Sequence, residues 1–117
     1  MQTITKIHDE QCIRFQDSVE LIGKRWSGGI LMAMWQGADR FSEIVASVSG
    51  LSDRLLSQRL RELENAQLVV REVVATTPVQ VRYRLTARGI DLMQSLQPLV
   101  AWEGRWNKPE SARGNER

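Results

Sequence analysis

The segment between positions 53 and 67 contains the side chains with the clearest chemical role. At 100° per residue, one side of a helix over this segment collects four leucines, Leu55, Leu56, Leu60 and Leu63. The opposite side presents four polar residues, Arg54, Ser57, Gln58 and Arg61. Arginine offers a bidentate donor to guanine, glutamine pairs with adenine, and serine can donate to a base or a phosphate. This polar face is therefore predicted to contact base edges of duplex DNA.

A second interpretation of the same pattern is that the two arginines only solvate an ordinary helix, which is the usual case for an isolated helix. The context favours DNA, because short helices precede this segment and a basic hairpin follows it. Near the tip of that hairpin, Gln80 and Arg82 are candidate wing contacts or simply solvated strand residues. Phosphate contacts are expected from Lys24, Arg40 and Ser42.

Cys12 is the single cysteine of the chain, so a disulfide could form only with a second chain or with a small thiol. As a thiolate it would react with oxidants, a state that Arg14 favours and the acidic Asp9 and Glu10 oppose. The alternative is a buried cysteine that acts as a small apolar side chain. His8 lies four residues earlier, but no further ligand pair accompanies it, so neither a metal nor a cofactor is expected.

Catalysis requires a positioned base, nucleophile or metal, and the sequence offers little to build one. It contains 1 histidine and 1 cysteine, and no glycine-rich phosphate loop follows a predicted strand. We therefore expect a protein that is not an enzyme.

The elements that must position these residues follow from apolar periodicity. A first helix is predicted over 13–22, ending near Gly23, and an almost continuously apolar core helix over 26–35. A short third helix begins at Arg40, with its apolar residues inward. Ser52 is the predicted N-cap of a fourth helix that runs to about Gln67.

After Leu68 the apolar period falls from about 3.6 to 2, which predicts a two-stranded hairpin. A valine-rich strand runs to Ala75, a turn follows at 76–78, and a second strand spans 79–85. Thr86 can cap a last helix that starts at Ala87 and is bent by Pro98. The order of elements predicts a mainly α (α+β) winged helix-turn-helix fold with a two-stranded wing.

Two adjacent glycines inside the predicted core helix, Gly28 and Gly29, each cost about 1 kcal/mol relative to alanine. Close helix packing would explain them. The alternative is a pocket for a flat apolar ligand, lined by Gly28 and by Phe15, Trp26, Met32, Trp102 and Trp106. Trp102 and Trp106 lie one helical turn apart and are also predicted to form the core of a dimer interface.

The composition agrees with one globular domain. The chain has 117 residues, 42% of them hydrophobic, and a net charge of +2, and no long apolar run predicts a membrane span. We expect an N-terminal arm over 1–11, a domain with its dimerisation helices over 12–106, and a flexible tail over 107–117. A cytoplasmic protein without membrane contact is the simplest expectation.

Five blocks of the sequence form a recognisable pattern: Asp17 to Trp26, Arg40 to Ile44, Leu51-Ser52, Leu55 to Leu63 and Tyr83 to Gly89. Through these blocks the chain resembles the HxlR branch of the MarR-like transcriptional regulators, and the similarity spans about 12–106. Two departures are Cys12-Ile13, where the family often has Cys-Pro, and Ser27-Gly28-Gly29, where bulky residues are usual.

The resemblance implies a homodimer formed by the first and last helices, with two recognition helices in successive major grooves of double-stranded DNA. It also implies control of nearby genes, as a repressor, and a response of Cys12 to an oxidant or electrophile. The competing function is a winged-helix module that contacts only proteins. Salt dependence separates the two, because neutralising phosphates makes DNA binding weaken steeply with salt.

Overall fold

The computed structural model describes residues 9–107, which form five helices and a two-stranded antiparallel sheet. In chain order the elements are α1 (Asp9–Gly23), α2 (Ser27–Trp35), α3 (Phe41–Ser47), α4 (Asp53–Asn65), β1 (Val69–Val74), β2 (Gln80–Leu85) and α5 (Ala87–Trp106). This is the predicted winged helix-turn-helix order. The first helix begins at Asp9, so the end of the predicted arm is helical, while residues 1–8 and 108–117 lie outside the described part.

The core forms around α2, whose sequence contains no charged residue and is the least polar among the five described helices. Ile30 and Leu31 are fully buried, and Ile44 of α3 and Leu56, Leu60 and Leu63 of α4 pack around them. Met93 of α5 completes the cluster. Fully burying such side chains contributes about 1.5–3 kcal/mol each, so α3 and α4 are held mainly by this contact.

The two helices of the helix-turn-helix begin with side-chain caps. The Ser52 hydroxyl accepts from the Leu55 backbone N–H at 3.2 Å, as predicted, and Glu43 accepts from the Arg40 N–H at 3.0 Å. At its other end α4 stops at Asn65, two residues before the predicted end. Gln67 has the left-handed φ of 63°, and the Leu68 N–H returns to the Leu63 carbonyl at 3.0 Å.

The wing is a regular hairpin in which Val69 pairs with Leu85 and Val74 with Gln80. Its base is fastened to the core at Leu68, whose carbonyl accepts from the Thr86 N–H at 3.0 Å. Thr86 caps α5 as predicted, since its hydroxyl accepts from the Gly89 N–H at 3.0 Å and donates to the Gln67 carbonyl at 2.6 Å. The start of β1, the end of β2 and the start of α5 are therefore held together by these hydrogen bonds.

Helices α1 and α5 extend away from this body. No residue of α1 is buried, although its sequence is amphipathic. The radius of gyration is 17.7 Å, against about 13 Å for a compact domain of 100 residues. The extended shape arises because these two helices leave much of their apolar surface without an intrachain partner.

Candidate nucleic-acid interface

The outer face of α4 is the candidate recognition surface. Arg54, Gln58 and Arg61 are exposed on it, and Ser57 is half-buried beside them. The opposite face is held in the core by its leucines, so the polar face is presented rigidly. Within residues 9–107, neither Arg54 nor Arg61 forms an ion pair with another side chain. Both guanidinium groups are therefore available to an anionic partner.

Arg59, in the same helix, has a different environment that the sequence reading missed. Its side chain is only 14% exposed; its Nε donates to the Arg25 carbonyl at 3.0 Å, and an Nη contacts Glu62 at 3.2 Å. The spacing of Arg59 and Glu62 by three residues was visible in the sequence as a helical ion pair. The bond to Arg25 spans 34 positions and has no local signal.

Lys24, a predicted phosphate contact, lies in the turn between α1 and α2. Its ammonium contacts the second Glu62 oxygen at 3.1 Å, and its side chain remains 50% exposed. The next two residues stack on each other, with the Arg25 guanidinium 4.9 Å from the centre of the Trp26 ring. Lys24 thus already has an intrachain partner, and its contact with phosphate stays a prediction.

The outer half of the wing, toward the hairpin turn, contains a second polar cluster. An Arg82 Nη donates to the Asp39 carboxylate at 2.6 Å, and the other contacts the Gln80 amide oxygen at 3.3 Å. Arg40 reaches the same Gln80 oxygen at 3.4 Å. The hydrogen bond from Arg82, helped by the nearby Glu43 interaction and opposed by desolvation, lowers the pKa of Asp39 below its ordinary value.

These bonds bring two of the predicted wing residues to the start of α3. Arg82 is partly buried and joins the wing to the α2–α3 turn, where the Tyr83 N–H also donates to the Asp39 carbonyl at 2.7 Å. Ser42, in the first turn of α3, is exposed, as is Arg40. Four of the predicted contacts therefore lie in one region beside α3, while direct DNA contact by any of them stays a prediction.

Cys12 lies in the first turns of α1 with an exposed thiol, so the alternative of a buried apolar cysteine is wrong for the single chain. His8 lies outside the described residues. Among residues 9–107 there is no group of three or more potential ligands that could hold a metal ion. The described helices also include none with the length and apolarity needed to cross a bilayer.

The predicted ligand pocket is only partly reproduced. An apolar cavity of about 340 Å³ lies between α1, α2 and α5, and Gly28 and Met32 both line it. The other lining residues are aliphatic: Val19, Ile22, Leu31, Met93, Leu96, Leu99 and Val100, with Gly23 at the edge. Gly28 has open space where a Cβ would be, whereas a Cβ on Gly29 would lie 3.2 Å from Val48. The glycine pair therefore serves both a cavity and close packing.

The aromatic lining predicted for that pocket is wrong in the single chain. Phe15 is 70% exposed and Trp106 is 72% exposed, and Trp102 is also exposed. Trp26 faces the turn between α3 and α4, where its ring would lie 3.1 Å from a Cβ on Gly50. The helical repeat placed Trp102 and Trp106 correctly on one surface of α5, but it could not show that neither of them lines the cavity.

The chain is similar to a known family of helix-turn-helix proteins and to individual transcriptional regulators. A family model described as HxlR-like helix-turn-helix matches residues 21–111. The transcriptional regulator YvaP of Bacillus subtilis is 41% identical over 100 residues, covering 86% of this chain and 93% of YvaP. The regulator YodB of the same organism is 37% identical over 98 residues, covering 84% of this chain and 88% of YodB.

Solved structures of such regulators have the same fold. The reduced form of YodB superposes with a TM-score of 0.73 at 36% identity, covering 82% of this chain and 94% of that one. YodB has also been solved after diamide treatment and with a bound quinone. The redox regulator HypR in its reduced form has a TM-score of 0.65 at 33% identity, covering 86% of this chain and 93% of that one.

Proposed function

Because this chain belongs to the HxlR-like helix-turn-helix family and is a transcriptional regulator of helix-turn-helix type, we propose that it binds duplex DNA as a sequence-specific homodimer. The observation that carries this proposal is the outer face of α4. There, two exposed arginines that form no ion pair with any residue between 9 and 107 flank a glutamine and a serine, and the leucines behind them are fixed in the core.

In this proposal Arg54, Ser57, Gln58 and Arg61 contact base edges and adjacent phosphates in the major groove. A helix of ordinary diameter fits that groove, and its polar side chains can discriminate among all four base pairs. Arg40 and Ser42, exposed at the start of α3, contact phosphates. Gln80 and Arg82 hold the wing beside α3, from where the hairpin tip reaches the neighbouring backbone.

The homodimer is proposed from the apolar surface of α1 and α5. The exposed large apolar residues that would form it are Ile13, Phe15 and Val19 on α1, and Leu99, Val100, Trp102 and Trp106 in the second half of α5. A helix of 15 residues with none buried is marginal in water by itself, so α1 requires a partner. Both helices line the same cavity, and a second copy would cover the apolar residues of both.

The dimer is tested by its mass in solution. Trp102→Ser with Trp106→Ser removes the two largest exposed apolar side chains of α5, and we expect the sedimenting mass to fall to that of a monomer. Val73→Ser is the matched control, because Val73 is 55% exposed on the wing, away from α1 and α5. Equal masses for the double variant and the parent would remove the basis for this interface.

DNA binding is tested by fluorescence anisotropy with duplexes that the protein selects from a random-sequence pool. We expect the logarithm of the binding constant to fall linearly with the logarithm of salt, with a slope of about −0.9 per neutralised phosphate. Arg61→Ala should weaken binding by about 1–3 kcal/mol and relax base preference, whereas Arg88→Ala, an exposed arginine on α5, should not. A protein-only module would select no duplex.

Repression is the proposed output, because a dimer seated on a promoter excludes the polymerase by overlap. Reconstituted transcription from the protein's own promoter should fall as protein is added. An increase in transcript would identify an activator instead.

Cys12 is the proposed sensor of oxidants or electrophiles. Its thiol is exposed on α1, the helix proposed to form the dimer surface, and relatives include a redox regulator and a regulator solved in diamide-treated and quinone-bound forms. Two Cys12 thiols, one from each copy, would lose two protons and two electrons to diamide and form one disulfide, while diamide becomes its hydrazine. An electrophile would modify the same residue by addition: the Cys12 thiolate forms a bond to a ring carbon of a quinone, and the ring takes up a proton to give the hydroquinone thioether.

The Cys12 proposal is tested with diamide and with the Cys12→Ser protein. The parent should release its duplex on oxidation and recover binding after dithiothreitol, and intact-mass measurement should show the covalent dimer or adduct. Cys12→Ser should keep the duplex under both treatments. Release from Cys12→Ser equal to that from the parent would rule out the thiol as the sensor.

A small apolar effector is a second candidate, favoured by the cavity between α1, α2 and α5. Its lining is almost wholly aliphatic and its volume of about 340 Å³ suits an uncharged aromatic compound. The probe is N-phenyl-1-naphthylamine, whose fluorescence should rise on binding to the parent. Gly28→Leu fills the cavity and should abolish the rise, whereas Gly104→Leu, on α5 with no neighbour within 4 Å, should not. Equal fluorescence from the Gly28→Leu and Gly104→Leu variants would show that the probe does not bind in this cavity.

A further inference from the structure

The turn between α1 and α2, residues 24–26, makes three contacts with the helix-turn-helix, two with α4 and one with the α3–α4 turn. The Arg25 carbonyl accepts from Arg59 at 3.0 Å, and Lys24 pairs with Glu62 at 3.1 Å. Beyond these bonds to α4, Trp26 packs against the α3–α4 turn at Gly50. This turn is therefore the direct connection between α1 and the two helices of the DNA-binding motif.

Arg59 is not part of the polar face that Arg54 and Arg61 form. Its guanidinium is bound on one side by a backbone carbonyl and on the other by Glu62, and its side chain is only 14% exposed. Two of its five N–H donors are used in these bonds, and the low exposure leaves little of the guanidinium for contact with a phosphate. We propose that Arg59 and Glu62 are positioning residues that fix the angle of α4 relative to α1. This inference rests on the proposed function, because it concerns how a DNA-bound dimer is arranged.

The bonding pattern makes this link stiff. A planar guanidinium with several fixed donors can hold two acceptors at once, which a lysine ammonium on a flexible stem cannot do with the same geometry. Glu62 uses one oxygen to hold Arg59 within α4 and the other to bind Lys24, so the helix is joined to the turn once through Lys24 and once through the Arg59 bond to Arg25. Trp26 adopts the left-handed φ of 80° with its ring against Gly50, which fixes the turn itself.

A small change of angle at this link matters for a dimer on DNA. Helix α4 has 13 residues, so its length is about 20 Å at 1.5 Å per residue. Tilting it by about 10° moves its far end by about 3 Å, which is close to one base-pair step. Since α1 belongs to the proposed dimer surface, Arg59 and Glu62 determine the distance between the two recognition helices and hence the preferred half-site spacing.

The test uses the full-length protein and the duplex it selects from a random-sequence pool, together with duplexes in which the half-site spacing is one or two base pairs shorter or longer. The variants are Arg59→Lys and Glu62→Gln, with Arg88→Lys as the matched control. We expect Arg59→Lys to bind the optimal duplex about tenfold more weakly, the loss typical of a broken charged hydrogen bond. Its salt slope should be unchanged, and its preference among spacings should be flatter than that of the parent.

Circular dichroism melts establish whether each variant is folded. If Arg59→Lys is unfolded, the binding measurements on Glu62→Gln test the inference instead. Parental affinity and an unchanged spacing profile in the folded variants would overturn the inference. So would a salt slope shallower by about 0.9, because it would mean that the residue neutralises a phosphate. If the parent selects no duplex, the proposed function fails and this inference fails with it. If the parent binds and the folded variants bind with the same affinity and spacing preference, only the inference is refuted.

Discussion

Replacing Gly89 by alanine perturbs the point at which the wing, α4 and α5 meet. Gly89 is buried in the first turn of α5. A Cβ at this position would overlap the Leu68 carbonyl oxygen and lie 3.1 Å from its carbon and 3.3 Å from a Leu85 methyl. The nearest obstacle is backbone rather than the end of a flexible side chain, so a rotamer change cannot relieve the overlap.

The size of the effect follows from what must move. Restoring van der Waals separation requires a shift on the order of 1 Å, which would break the 3.0 Å bond from the Thr86 N–H to the Leu68 carbonyl. Leaving such a buried group unpaired costs about 1–3 kcal/mol, and overpacking costs about as much again. Alanine regains about 1 kcal/mol of helix propensity, so the net loss is about 3 kcal/mol. The melting temperature should fall by about 12 °C.

Thermal and urea unfolding of Gly89→Ala at one fixed protein concentration measure this loss. The control is Gly104→Ala in the same helix, where a Cβ would have no neighbour within 4 Å among the described residues. There alanine should stabilise the protein, by up to about 1 kcal/mol. A Gly89→Ala protein that melts at or above the parental temperature would show that Gly89 is not held against the Leu68 carbonyl.

Three further predictions concern other contacts. Because Arg82 lowers the pKa of Asp39, the folded value lies below the unfolded one, so this carboxylate stabilises the fold above its ordinary pKa of 3.8 and loses that effect as pH falls through the folded value. In urea titrations Asp39→Asn should therefore be less stable than the parent at pH 7, and the difference should disappear in acid. Gly50→Ala places a Cβ at a residue with a φ of +85° and 3.1 Å from the Trp26 ring. Its free energy of unfolding, measured by thermal melts, should therefore fall by at least about 1–2 kcal/mol, and the variant should also bind selected duplexes more weakly. Leu60 is only 1% exposed, so Leu60→Ala should lower the free energy of unfolding, measured in urea, by about 2–5 kcal/mol. The salt slope of DNA binding by the folded protein should not change.

Much of the fold could be predicted because its signals are local. The leucine repeat of α4, the Ser52 and Thr86 caps and the period of two in the wing each depend on residues within a few positions of one another. The polar face of α4 followed from the same repeat. The end of α4 was misplaced because Gln67, a residue without a strong preference for the left-handed region, takes the positive φ that glycine usually supplies.

The amino-acid sequence alone determined which residues lie on which face of each helix, since that depends only on the 3.6-residue repeat. Tertiary structure decided which charged residues are free. Arg82 meets Asp39 across 43 positions and Lys24 meets Glu62 across 38, while Arg54 and Arg61 have no ion pair within the described chain. It also left Phe15, Trp102 and Trp106 exposed in the single chain, so that none of them lines the cavity beside Gly28. Such pairings depend on how separate elements pack in three dimensions, and a periodic pattern along one element contains no information about them.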